Sequence, residues 1–165
     1  MIRRIQAAPE DAPFLYQLYA STRSDEMTAW GWGKEQAEAF LAMQYTFQRR
    51  SYEQQFPQAE HSILYSNHER IGQVLIWRDS DQWILVDLSL LPECRGQGIG
   101  SELIRKLQSM AAKAGVPLRL SVQIDNPAVR LYVRLHFRVI EQGDVYHRME
   151  WHPEQAVTAG REGVT

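Results

Sequence analysis

The feature that most constrains this chain is a run of alternating glycines, Arg95-Gly96-Gln97-Gly98-Ile99-Gly100, set between a strand pattern and a helix pattern. The strand pattern is Trp83 to Leu90. Its alternation puts Ile84, Val86, Leu88 and Leu90 on one face, read as core, and Trp83, Leu85, Asp87 and Ser89 on the other, which turns polar just before the loop. The helix pattern carries Leu103, Ile104, Leu107, Met110, Ala111 and Ala114 on one stripe, with Arg105, Lys106 and Lys113 outside it. Gly115 supplies a C-cap and Pro117 prevents the helix from resuming. Glycines in such a loop remove side chains where a ligand can meet the backbone. The N–H groups and dipole of the following helix suit an anion such as a pyrophosphate, and Arg95 adds a full charge. Taken alone, the run serves equally well as a turn selected for tightness.

Two other phosphate loops are excluded by their chemistry. A Walker loop ends in Gly-Lys-Ser/Thr, whereas this one ends in Gly100-Ser101-Glu102 and lacks the lysine. A dinucleotide fingerprint needs G-x-G-x-x-G and an acidic residue about 20 positions later. Here the spacing is G-x-G-x-G, and Arg119 lies near that later position.

Around this centre the pattern reads as one mixed α/β domain. Met1 to Gln6 is a short edge strand, and Pro9-Glu10-Asp11 opens a helix carrying Phe14, Leu15, Leu18 and Tyr19. A second helix runs over Lys34 to Arg50, leaving Thr22 to Gly33 as the connection. Ser62–Tyr65 and Ile71–Trp77 form a hairpin about Ser66-Asn67-His68. After the central helix, Leu118, Leu120, Val122 and Ile124 alternate as a strand with one buried face. Asn126-Pro127 opens a short helix presenting Ala128, Leu131, Tyr132 and Leu135, and a hairpin from Phe137 to Trp151 closes the domain. The domain is expected over residues 1–153, with 154–165 a flexible polar tail.

Charge and cysteine content remove several function classes. The 18 Lys+Arg and 20 Asp+Glu give a net charge of −2 with no dense basic run, so no nucleic-acid partner is expected. Cys94 is the only cysteine, which excludes an internal disulfide, and no apolar run is long enough for a membrane span. Nor does an apolar signal core follow the N-terminal arginines, so a cytoplasmic protein is expected. No metal site is expected.

The segment Val86 to Leu107, VDLSLLPECRGQGIGSELIRKL, closely resembles motif A of the GCN5-related N-acetyltransferase superfamily, whose signature is Q/R-x-x-G-x-G/A. Arg95, Gly98 and Gly100 stand at the signature positions. NPAVRLYVRLHF, Asn126 to Phe137, resembles motif B, with Asn126, Tyr132 and Phe137 matching and His136 where the family usually has glycine. A left-handed residue at that helix end would cost histidine roughly 1 kcal/mol. The resemblance implies an α/β (α+β) fold: a central, mostly antiparallel mixed sheet, flanked by helices and splayed between strands four and five. It further implies that acetyl-CoA is the cosubstrate. The backbone of Leu88, Ser89 and Leu90 would pair with the pantetheine arm, and the loop Arg95, Gly96, Gln97, Gly98, Ile99, Gly100 and Ser101 would cradle the pyrophosphate. Asn126 reads as a helix cap that can also touch the pantetheine arm.

Transfer of an acetyl group to an amine requires a route for the amine proton and a proton for the departing thiolate. By resemblance, the Tyr132 hydroxyl serves the thiolate; read from position alone, it is a core aromatic. Asp87 reads either as the general base or as a carboxylate that orients a loop. Cys94 reads as an incidental thiol, because family members usually transfer directly. In the first connection, Glu26, Trp30 and Trp32, with Asp25, Tyr45 and Tyr52 nearby, could hold a cationic amine. The two tryptophans could equally pack beneath the loop. The expected activity is transfer to a primary amine of a small molecule, with a homodimer compatible with it. The alternatives are a peptide or protein amine as acceptor, or a non-catalytic acyl-CoA-binding module.

Overall fold

The structure is a computed structural model that describes residues 2–153. The expected tail, 154–165, lies outside the described residues. In chain order the elements are β1 (Ile2–Gln6), α1 (Ala12–Ala29), α2 (Lys34–Gln55), β2 (Glu60–Ser66), β3 (Glu69–Arg78), β4 (Trp83–Leu90), α3 (Ile99–Ala114), β5 (Leu118–Gln123), α4 (Ala128–Arg134), β6 (Arg138–Gln142) and β7 (Tyr146–Trp151). The strands form one seven-stranded sheet in the order β1-β2-β3-β4-β5-β7-β6. It is a mixed sheet, since β4 and β5 run parallel while β1–β2, β5–β7 and β6–β7 run antiparallel. The mixed α/β architecture expected from the sequence is therefore present.

The chain divides into two compact units: Met1–Leu75 with Asp87–Gln97, and Ile76–Val86 with Gly98–Thr165. In the first, β1 pairs with β2 from Ile2↔Ser66 to Gln6↔Ser62. Leu15, Leu18, Ile63, Leu64, Ile71 and Val74 are buried. A second apolar cluster joins Tyr19 and Met27 of α1 to Leu41 of α2, with Trp32, Ala37, Phe40 and Tyr45 packed against it. The start of α1 is fixed by the buried Asp11. Its carboxylate accepts from Ala8 N–H at 2.8 Å and from Arg70 Nε at 2.8 Å. Those donors hold it below the usual carboxylate range, the Ala8 bond outweighing the opposing effect of burial.

The second unit packs α3 through Leu103, Ile104, Leu107 and Ala111, all buried. Leu118, Leu120 and Val122 of β5 and Met149 and Trp151 of β7 are buried as well. The buried Gln108 of α3 would be costly without a partner, and its Nε2 donates to Leu135 O at 2.8 Å. The helix ends α3 and α4 share one device. Val116 N–H bonds Ala111 O with Gly115 N–H on Ala112 O, and Phe137 N–H bonds Tyr132 O with His136 N–H on Val133 O. This is the Schellman pattern, which needs a left-handed residue. Gly115 supplies it at φ 72°, and His136 supplies it at φ 71°.

Several expectations are corrected. The helix α1 runs on to Ala29 and leaves only residues 30–33 as the connection, because no glycine or proline interrupts the chain between Pro13 in its first turn and Gly31. Likewise α2 extends past Arg50 to Gln55. On β4 the buried residues are Trp83 and Leu85, while Ile84, Val86, Leu88 and Leu90 are half-buried. Alternation separates two faces of a strand but does not say which is better covered. Ile124 and Ala114, both read as core, are exposed.

Gly72 of β3 is buried against β4: a Cβ there would collide with the Ser89 carbonyl oxygen and lie 2.9 Å from Leu90 Cδ2. Overpacking of this kind costs about 1–3 kcal/mol. Gly72→Ala is therefore expected to lower the urea midpoint and the melting temperature, and an unchanged midpoint would show that β3 and β4 can part without cost.

Candidate functional site

On β4 the polar turn seen in the sequence becomes a defined arrangement within the first unit. Asp87 Oδ2 accepts from Gln73 Nε2 at 2.7 Å, and Ser89 Oγ donates to both carboxylate oxygens at 3.1 and 3.2 Å. Burial raises the Asp87 pKa to about 6, and the bonds from Ser89, Gln73 and the Leu88 backbone reduce that rise without cancelling it. No lysine or arginine forms an ion pair with it among the described residues. A carboxylate in this state exchanges its proton just below neutrality, which suits a base that must accept one and release it again.

The arrangement extends across β3 to β2. Gln73 Oε1 lies 2.7 Å from His61 Nε2, and His61 Nδ1 lies 3.5 Å from Arg49 Nη1 of α2. Since Gln73 must give its N–H to Asp87, its oxygen faces the histidine, and His61 carries its proton on Nε2. Burial and then the Arg49 charge lower the His61 pKa, against a hydrogen bond to Gln73 that raises it. His61 and Gln73 were missed in the sequence. A lone polar residue on a strand reads as surface, and only the alignment of three strands puts these in a row.

The glycine run folds as a turn followed by a helix start. After a 3-10 turn at Pro92–Cys94, Arg95 Nε donates to Leu90 O at 3.1 Å and Gln97 Nε2 donates to Glu93 O at 2.9 Å. Arg95, Gly96 and Gln97 are all exposed. Cys94 is half-buried with a pKa raised by burial, the opposite of an activated thiol.

In the second unit, Gly98 stands before α3 at φ 81° and the first bond of the helix is Glu102 N–H to Gly98 O at 3.0 Å. The N–H groups of Ile99, Gly100 and Ser101 therefore head the helix without intrahelical partners. Gly98 is explained by its left-handed φ. Gly100 is not, because a Cβ there would meet only Leu131 Cδ2 at an ordinary 3.6 Å.

In the same unit Asn126 precedes α4 and Tyr132 lies in its last turn. Asn126 Oδ1 accepts from Ala128 N–H at 2.9 Å, as a helix-opening residue should. Tyr132 is half-buried, with its ring edge-to-face on Phe137 at 5.6 Å between centroids. That pair is the apolar contact that accompanies a Schellman helix end. The tyrosine is thus anchored at its ring, whatever its hydroxyl does.

Of the expected acceptor residues, Asp25 and Glu26 lie on α1 with side chains outside the described set. Trp30 and Trp32 form an aromatic group with Phe40, at 5.2 Å between the indoles and 4.9 Å from Trp32 to Phe40. Trp32 is half-buried in that group, whereas Trp30 remains 51% exposed and accessible to a ligand. Tyr45 packs on Tyr16 and Tyr19. Among the described residues no cluster of metal-ligating side chains occurs, and no helix is long and apolar enough to cross a membrane.

The fold is similar to that of several solved acetyltransferases. The PaiA N-acetyltransferase from Thermoplasma acidophilum, solved with coenzyme A, superposes with a TM-score of 0.69 at 19% identity over 92% of this chain and 99% of its own. The ribosomal-protein-S18-alanine N-acetyltransferase of Escherichia coli gives 0.59 at 19% identity over 92% of this chain and 94% of its own. The Campylobacter jejuni N-acetyltransferase PseH, in complex with acetyl coenzyme A, gives 0.57 at 14% identity over 92% and 99%. No curated protein matches at the sequence level. The model of the acetyltransferase (GNAT) family matches residues 14–137, which takes in α1 from its third residue, all of α2, the Asp87 strand, the glycine run and Tyr132. The chain belongs to the acetyltransferase (GNAT) family.

Proposed function

We propose that this protein transfers an acetyl group from acetyl-CoA directly to a primary amine of a small molecule. The observation that carries the reading is Asp87: a carboxylate hydrogen-bonded on β4, with no cationic partner among the described residues and a pKa of about 6. A non-catalytic acyl-CoA-binding module has no use for such a group. The first unit also contains a cavity of about 770 Å³, within the range of small-molecule sites. This favours a small acceptor over a protein amine, although the Escherichia coli relative is named for a protein substrate.

The residues present fit the cosubstrate. Gly100 has no reason in the packing of this fold to lack a side chain, and a ligand lying against the head of α3 would supply one. The backbone N–H groups of Ile99, Gly100 and Ser101 would hold the pyrophosphate, with Arg95, Gly96, Gln97 and Gly98 shaping the approach. Leu88, Ser89 and Leu90 offer strand backbone for the amide groups of the pantetheine arm, and Asn126 would touch the same arm.

In the reaction, Asp87 takes a proton from the acceptor ammonium and frees its lone pair. As the amine attacks the thioester carbonyl, a C–N bond forms. The C–S bond then breaks, and the Tyr132 hydroxyl gives its proton to the departing sulfur. The second proton of the attacking nitrogen leaves to restore that hydroxyl. The products are the neutral amide and the CoA thiol, with the first proton on Asp87 released to solvent. Trp30 and Trp32 would meet the acceptor on the α1–α2 side; the expected partner Glu26 has its side chain outside the described residues.

Three outcomes test this reading. Acetyl-CoA at 100 times its dissociation constant should stabilise the protein by about 2.7 kcal/mol, with CoA similar and ATP inert; no thermal shift would end the reading. Tyr132→Phe should lower kcat about a hundredfold or more while leaving acetyl-CoA affinity nearly unchanged, the usual size of acid catalysis. An unaltered kcat would remove the tyrosine from the chemistry.

The third outcome concerns pH. The Asp87 pKa rises from 3.8 unfolded to about 6 folded, so the folded state holds this proton more tightly. The contribution to stability is complete below about pH 4 and is lost as pH climbs through 6. Asp87→Asn should therefore gain melting temperature relative to wild type on going from pH 4 to pH 7. In wild type, kcat/KM should rise with pH through an apparent pKa near 6, and Asp87→Asn should lack that limb. Persistence of the limb in the variant would mean that another group is the base.

A further inference from the structure

The cavity in the first unit lies where the end of β1 and the start of α1 face α2 and β2. Its lining includes Leu15, Tyr45, Arg49, Glu60, His61 and Ser62. Two of these residues tie it to the site already described. His61 is the outer member of the row His61–Gln73–Asp87, and Arg49 sits against the Nδ1 of that histidine.

The electrostatic state of Arg49 is unusual for a residue in a cavity wall. No carboxylate lies within ion-pairing distance of it among the described residues. Asp11, the buried acid of this unit, is already taken by Arg70 and Ala8 N–H. A guanidinium has five N–H donors in a fixed fork. Arg49 makes one hydrogen bond, to His61 Nδ1, at the outer limit of 3.5 Å. The Tyr45 ring lies 5.9 Å from its central carbon and limits where the group can swing. His61 adds no competing charge, because it is held neutral by burial and by Arg49 itself. Glu60 is exposed on β2. A single planar fork with free donors, facing space large enough for a small molecule, matches a carboxylate better than a phosphate, which draws several cations.

We infer that this cavity binds the carboxylate of a small amine-bearing molecule through the Arg49 guanidinium, so that the acceptor class is amino acids and short peptides with amine and carboxylate well separated. The separation follows from the sheet. His61 is on β2 and Asp87 on β4, two strand spacings apart, which is about 10 Å. A carboxylate held beside His61 places an extended acceptor along the row His61–Gln73–Asp87, with its amine at Asp87. This last step rests on the proposed role of Asp87; the carboxylate site itself does not.

The test is calorimetric binding of three probes of equal length to the full chain: ω-aminooctanoate, ω-aminooctanamide and the corresponding diamine. The carboxylate should bind wild type about tenfold or more tighter than the amide, the usual effect of a charge-assisted pair. In Arg49→Gln that preference should vanish, with acetyl-CoA binding and the far-ultraviolet spectrum unchanged. Arg49→Lys, which keeps the charge without the fork, should retain an intermediate preference and serves in its place should the glutamine variant not fold. Equal binding of carboxylate and amide to wild type, or a preference that survives in Arg49→Gln, overturns the inference. Turnover of the diamine with no carboxylate preference leaves the acetyltransferase reading standing and removes the cavity site. A carboxylate preference without acetyl-CoA-dependent turnover does the reverse.

Discussion

A carboxylate withdrawn from water must be compensated, and how Asp87 is compensated governs much of the first unit. A cation would have drawn its pKa down and fixed it as a permanent anion, as Arg70 helps to do for Asp11. Neutral donors act differently. Gln73 and Ser89 give the carboxylate hydrogen bonds without a full opposite charge, so desolvation prevails and the proton affinity rises. Two desolvated carboxylates in one unit, the buried Asp11 and the half-buried Asp87, thus end in opposite states: Asp11 organises the start of α1, and Asp87 is left able to exchange a proton.

Keeping neutral donors in place demands exact strand geometry. The side chains of His61, Gln73 and Asp87 meet in a row only in one register, and a slip by one residue would turn one of them to the other face. Gly72, next to Gln73, lets the β3 backbone approach Ser89 and Leu90 more closely than any side chain would allow. His61 then fixes which end of the Gln73 amide faces Asp87, since an amide with both ends bonded cannot flip without losing both bonds. In the second unit the same economy operates on Tyr132. Its carbonyl ends α4 and its ring packs on Phe137, and His136 accepts a left-handed backbone to complete the turn. A residue held by backbone and ring at once has little side-chain freedom, which is what its proposed role as proton donor would require.

What could be read in advance follows from how local each signal is. The bounds of β4, the glycine run and the Gly115 end of α3 were legible, because alternation, positive-φ glycines and helix caps are written within a few residues. The extent of α1 was not: the stretch holding Asp25 and Glu26 looked like a connection, but it carries no helix breaker and simply continues. Gln108 sat unnoticed on the apolar stripe of α3, since its partner, Leu135 O, belongs to a different element. Gln73 and His61 escaped for the same reason. Each is an ordinary polar residue on its own strand, and its role exists only across strands.

The same distinction separates cofactor from acceptor. The parts assigned to acetyl-CoA, Leu88 to Ser101 with Asn126 and Tyr132, fall in two contiguous stretches, so they leave a motif. The residues around the cavity come from β1, α1, α2 and β2, spread from Gln6 to Ser62, and no spacing connects them. Backbone N–H groups and glycines can bind a cosubstrate common to many enzymes with little dependence on side-chain identity. An acceptor must instead be told from its competitors by individual side chains, and in the proposed site that discrimination would fall chiefly to Arg49, which has no carboxylate partner among the described residues. Exchanging the residues that line this cavity would redirect such an enzyme to another amine while leaving the glycine run and Asp87 as they are.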